Sequence, residues 1–66
     1  MRVVINGEDR DVKEGISIQA LLRELELEVD ATVVQRNGDV VHRDAFDTMQ
    51  LVEGDVLELL RFVGGG

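Results

Sequence analysis

Ile16-Ser17-Ile18-Gln19-Ala20-Leu21-Leu22-Arg23-Glu24-Leu25 is the stretch on which the fold turns. Ile18, Leu21, Leu22 and Leu25 fall at i, i+3, i+4 and i+7, the spacing of one apolar stripe on an α-helix. Ser17 suits the N-cap, because its short side chain can accept a hydrogen bond from an otherwise unpaired N–H of the first turn. Ile16 before the cap can pack on Leu21 as a hydrophobic staple, whereas Ala20 stands where a capping box would put Glu or Gln. The helix is expected from Ile18 to Glu26 or Leu27. After that, Glu26-Leu27-Glu28-Val29 alternates and the helical period is lost.

Working outward toward the N-terminus, Met1-Arg2-Val3-Val4-Ile5-Asn6 reads as a strand with Met1, Val3 and Ile5 on one face. Asn6-Gly7 signals a tight hairpin, since a type I′ turn needs positive φ at both central positions. Glu8 to Lys13 returns as a polar second strand, which Glu14-Gly15 breaks. On the other side of the helix, Ala31 to Arg36 reads as a third strand. Asn37-Gly38 is a second hairpin signal, and Asp39-Val40-Val41 starts the return. His42 to Gln50 is irregular and polar apart from Phe46 and Met49, which are expected to plug the end of the core. Gly54-Asp55 marks a turn into a last strand. There Leu57 and Leu59 share one face with Arg61 and Val63, while Val56, Glu58, Leu60 and Phe62 share the other.

One amphipathic helix covers only one side of a sheet this size. The expected architecture is therefore α+β: a β-grasp in which a mixed sheet of four to five strands wraps one helix. The last strand lies beside the first and parallel to it. The predicted core is Val3, Ile5, Leu21, Leu22, Leu25, Val34, Leu57 and Leu59. On the opposite face Val4, Val33, Leu60 and Phe62 remain apolar, and grouped near the chain end they would form a docking patch. Residues 1–62 form the domain and 63–66 a flexible tail.

Composition narrows the function. A chain of 66 residues is one small domain, and with no Cys it has neither disulfides nor a side-chain thiol for sulfur chemistry. No Cys/His cluster suggests a metal. A formal charge of −7 argues against nucleic acid, whose binding uses Lys and Arg to displace counterions. No signal peptide follows Met1 and no apolar run is long enough to span a membrane, so the chain is expected to be cytoplasmic, and a monomer when free. Lys13 is the only lysine, which speaks against a chain-forming tag.

The last strand runs into Val63-Gly64-Gly65-Gly66. Glycine has no Cβ and loses the most entropy on ordering, so such an end resists packing. Three extended residues reach about 10 Å, far enough to carry a terminal carboxylate into a narrow cleft on another protein. Other features read as structural. His42, the only histidine, is a surface residue; Glu24, Glu26, Glu28 and Asp30 are a solvated edge. Asp9 and Asp11 lack a His or a water-excluding pocket and make no acid–base or metal site. The three glycines have no following helix, Lys or Ser/Thr and are no phosphate loop.

Taken together, the chain resembles the ThiS family of small sulfur carriers, within the ubiquitin-like superfamily. The resemblance lies in Val4-Ile5-Asn6-Gly7-Glu8, in the Ser17-to-Leu25 helix, and in Gln35-Arg36-Asn37-Gly38-Asp39-Val40-Val41. It continues in Arg43 with Phe46, in Gly54-Asp55-Val56-Leu57-Glu58, and in Arg61-Phe62-Val63-Gly64-Gly65-Gly66. His42 departs from the family pattern, which often has proline there. The resemblance implies that Gly66 is the site of adenylation and thiocarboxylate formation. Gly65 and Gly64 would form a slim neck, and Val63, Phe62 and Leu60 a partner-binding anchor. It implies a ThiF-type adenylating enzyme that uses ATP, a persulfide sulfur donor, and thiazole synthase as acceptor. The chain would bind no cofactor of its own and act as a co-substrate, not an enzyme. A related carrier for molybdopterin, tRNA thiolation or cysteine synthesis shares this chemistry, and a ubiquitin-like tag joined through Gly66 is the alternative from another class.

Overall fold

A computed structural model describes residues 1–61. The elements are β1 (Arg2–Ile5), β2 (Glu8–Asp11), α1 (Ile18–Glu24), β3 (Thr32–Arg36), β4 (Asp39–Val41) and β5 (Val56–Arg61), with short 3-10 turns at Val29–Ala31 and Arg43–Ala45. The expectations for Phe62, Val63, Gly64, Gly65 and Gly66 lie outside the described residues.

Ser17 caps α1 as its sequence suggests, its hydroxyl oxygen accepting from the Ala20 N–H at 3.1 Å. The helix stops earlier than its apolar pattern. Leu25 is the C-cap, and Glu26 takes a left-handed φ of 59°. The Leu27 N–H then reaches the Leu22 carbonyl at 2.8 Å and the Glu26 N–H reaches Arg23 at 3.0 Å. This is a Schellman ending with glutamate where glycine is usual, so the sequence carries no glycine to announce it. Leu25, expected in the core, is consequently only half-buried against it.

The sheet has five strands in the order β2-β1-β5-β3-β4. β1 and β5 run parallel at its centre, with Val4 opposite Val56 and Ile5 opposite Leu57. β5 pairs antiparallel with β3, placing Val33 opposite Leu60 and Val34 opposite Leu59. Both Asn-Gly hairpins form. The strands lay one apolar face on α1, and this is the β-grasp the sequence predicts. Val3, Ile5, Leu21, Leu22, Val34, Leu57 and Leu59 are buried as expected. Ile16, Ile18, Val41 and Leu51 join them, and Phe46 closes the end of the core with Met49 packed against it.

β5 alone has strand neighbours on both sides that come from distant parts of the chain. It is the element that runs toward Gly66, so the sheet holds in its middle the strand that carries the chain end.

Candidate functional site

The site is built on β5, and its two ends are held differently. At the start, the Gly54-Asp55 turn puts an aspartate inside the protein: Asp55 is 3% exposed. One carboxylate oxygen accepts from Arg36 Nε at 3.0 Å and from the Val52 N–H at 2.9 Å. Arg36 Nη2 also lies 3.0 Å from that oxygen. The other accepts from the Asn37 amide at 3.1 Å. Burial alone would push the Asp55 carboxyl up. The hydrogen bonds from Val52, Asn37 and Arg36, with the charge of Arg36, outweigh it and hold the carboxyl below its ordinary value. Asn37 also accepts from the Val56 N–H through its side-chain oxygen at 2.9 Å. The second hairpin is thus tied to the first residue of β5.

At the other end Asn6 makes the same kind of tie. Its side-chain oxygen accepts from the Leu59 N–H at 2.8 Å, and its amide donates to the Leu59 carbonyl at 3.2 Å. The amide plane stands in for a peptide unit after β1 has turned away, and it continues the pairing along β5 by one step. Beside it a groove of about 400 Å³ opens between the first hairpin, the end of the helix and β5. Ile5, Leu25, Leu27 and Leu59 give it an apolar lining, and Arg10, Arg61 and Glu8 line it as well.

On the sheet face away from α1, Leu60 is 56% exposed and sits opposite Val33, 37% exposed. This cross-strand pair lies one residue short of the end of β5. Val4 is not grouped with it as the sequence suggests. It pairs with exposed Val56, four residues back along the strand, and that separation is about 13 Å at the rise of a strand. Exposed Glu58 lies between. Gly66, Gly65, Gly64, Val63 and Phe62 lie outside the described residues.

Sequence reasoning read Asp55, Asn37 and Asn6 as turn formers and missed their bonds to Arg36, Val52, Val56 and Leu59. The only signal in the sequence is an Asp beside Gly at the start of an apolar strand; the partners of these side chains lie across the sheet, where residue spacing does not reach. Among the described residues, no buried side-chain polar atom lacks a partner and no group of three or more His, Cys, Asp and Glu is placed to hold a metal. Exposed His42 opens the second 3-10 turn. No helix among the described residues is long and apolar enough to cross a membrane.

Residues 3–66 match the family model described as the ThiS family. The chain is 35% identical over 63 residues to the sulfur carrier protein ThiS of Bacillus subtilis, covering 94% of this chain and 96% of that one. It is 36% identical over all 66 residues to a thiazole synthase of Paramagnetospirillum magneticum, of which it spans only 20% of the length. Its fold superposes on the crystal structure of the thiamine biosynthesis protein ThiS from Geobacter metallireducens with a TM-score of 0.86. The identity there is 35% and the coverage 100% of both chains.

Proposed function

The chain belongs to the ThiS family, and from that premise we propose that it is a sulfur carrier of thiamine biosynthesis whose working group is the Gly66 carboxylate. One observation carries the reading: the family match spans residues 3–66, so it takes in the glycine end as well as the body.

The chemistry follows from what a carboxylate lacks. It is a poor electrophile, so an oxygen of the Gly66 carboxylate first attacks the α-phosphorus of ATP on a ThiF-type enzyme. Pyrophosphate leaves and an acyl-adenylate remains. The terminal sulfur of a protein persulfide then attacks the acyl carbon and AMP departs. A thiol on the donor side then attacks the donor's own sulfur in the resulting acyl disulfide, breaks the S–S bond that the persulfide brought, forms a disulfide on the donor, and leaves a thiocarboxylate on Gly66. The chain supplies no thiol, because it has no Cys, and the backbone end bears the sulfur. Gly64 and Gly65 keep the approach free of side chains, and tethering raises the sulfur's effective concentration at the acceptor. Similarity to part of a longer thiazole synthase supports thiazole synthase as that acceptor. In this scheme residues 63–66 act as the tail and the domain before them presents it, as a co-substrate and not a catalyst.

The test is direct. Removing Gly66 should abolish ATP–pyrophosphate exchange with the adenylating enzyme and leave the circular dichroism and thermal midpoint of the domain unchanged. Intact mass after turnover should show one oxygen replaced by sulfur at Gly66. Equal exchange by the truncated chain would refute the reading, and higher-mass conjugates would assign the chain to the protein tags instead.

A further inference from the structure

We propose that the groove beside the end of β5 receives an acidic, extended segment of the enzyme that activates Gly66, with Arg10 and Arg61 selecting that partner by charge. This deepens the carrier reading and rests on it. Of the six arginines, Arg2, Arg36 and Arg43 form ion pairs, with Asp11, Asp55 and Asp30, while among the described residues Arg10, Arg23 and Arg61 form none. Arg10 and Arg61 line the same groove, and among the described residues neither makes an ion pair. Glu8 lines it too and bridges to neither of them, which leaves the groove cationic by one charge.

At physiological salt the Debye length is about 8 Å, so distant carboxylates are screened and the charges lining the groove weigh most there. Guanidinium groups hold carboxylates with two parallel N–H bonds, a geometry that a basic or neutral segment does not offer. The half-buried Leu25 and Leu27 give an apolar side chain of the same segment a place to pack.

The backbone adds a reason for an extended conformation. On the side of β5 facing β1, the Leu59 N–H and carbonyl are taken by Asn6. Strand alternation makes Arg61 the next residue whose backbone faces that way, and β1 has already turned at Gly7. An incoming strand can continue the sheet where β1 stops, the mode by which extended peptides add to exposed edges. Arg61 lies five residues from Gly66, within about 18 Å along an extended chain, so one partner can hold the groove and act on the carboxylate together.

The experiment measures steady-state ATP–pyrophosphate exchange by the adenylating enzyme against carrier concentration. Arg10→Glu combined with Arg61→Glu should raise KM by about tenfold or more with kcat within about twofold and the thermal midpoint unchanged. The wild-type KM should climb with added salt more steeply than that of the double variant. Arg2→Glu with Arg43→Glu makes the same change in formal charge outside the groove and should leave KM within about twofold. A groove variant with wild-type KM would overturn the inference and leave the carrier reading standing, as would a control pair that raises KM equally. If Gly64–Gly66 resonances of the free chain move in the groove variant, the groove holds the chain's own end, and the partner segment is ruled out. A wild-type chain that supports no exchange removes the carrier reading and this inference together.

Discussion

The same dipeptide closes both hairpins. Asn6 and Asn37 each have φ of 51°, and the following Gly7 and Gly38 have φ of 82° and 91°. Each asparagine then turns its side chain to the backbone of β5, at Leu59 and at Val56 respectively. What differs is the company they keep. Asn37 also donates to buried Asp55, which holds Arg36 and the Val52 N–H, so the start of β5 is clamped by a closed polar network. Asn6 has no such network and stands beside an open groove. Identical turn chemistry thus fixes the strand firmly at Val56 and merely steadies it at Leu59. The difference assigns stability to one end of β5 and access to the other.

The largest effect that tests this contrast is at Asp55. Asp55→Ala leaves Arg36, the Asn37 amide and the Val52 N–H without their acceptor, and should cost roughly 3 kcal/mol in urea unfolding. That is a large share of the stability of so small a domain. The same contact should show in acid. The folded-state carboxyl sits below its ordinary value, so its contribution is present above about pH 4 and is lost as pH falls through the folded value. The stability gap between wild type and Asp55→Asn should therefore close below about pH 4. A gap that persists unchanged in acid would show that the clamp is not ionic.

A smaller and sharper comparison swaps the two asparagines for glycine. Glycine accepts the left-handed backbone in both turns, so the difference between the variants reports the side-chain hydrogen bonds. Asn37→Gly should cost about 2 kcal/mol and Asn6→Gly about 1 kcal/mol, since only Asn37 also serves a buried charge. Amide exchange should rise at Leu59 in the second variant with little change at Val56. Equal costs would mean that the two ends of β5 are held alike, and the contrast between them would fall.

Much of this is legible in the sequence alone. The Ile18-Leu21-Leu22 stripe, the two Asn-Gly turns and the alternation through Val56–Arg61 are local signals, and each produced the element that the structure has. The β-grasp order followed from needing one helix to cover one sheet. The early helix stop was hidden because Glu26, not glycine, adopts the left-handed conformation. The Asp55–Arg36 contact spans 19 residues and was invisible for a different reason: side-chain geometry across a sheet depends on register, and residue spacing does not encode it. The same limit spread Val4 away from Leu60, because face parity says which side a residue is on and not how far along the strand its neighbours lie.

The smallest expected effect on stability falls at Leu60. Leu59 and Leu60 are adjacent, alike in chemistry and opposite in face, at 7% and 56% exposure. Leu59→Ala removes buried volume beneath the sheet and should cost roughly 2–4 kcal/mol. Leu60→Ser removes an apolar group already in water and should stay within about 0.5 kcal/mol. If the outer face near the end of β5 is where the activating enzyme docks, that same serine should weaken its binding by about fivefold, or about 1 kcal/mol, which is less than an interface hot spot contributes. The two readouts must separate: a Leu60→Ser chain that melts early and binds normally would make Leu60 part of the scaffold. The accessible end of β5 would then keep only its groove as a recognition surface.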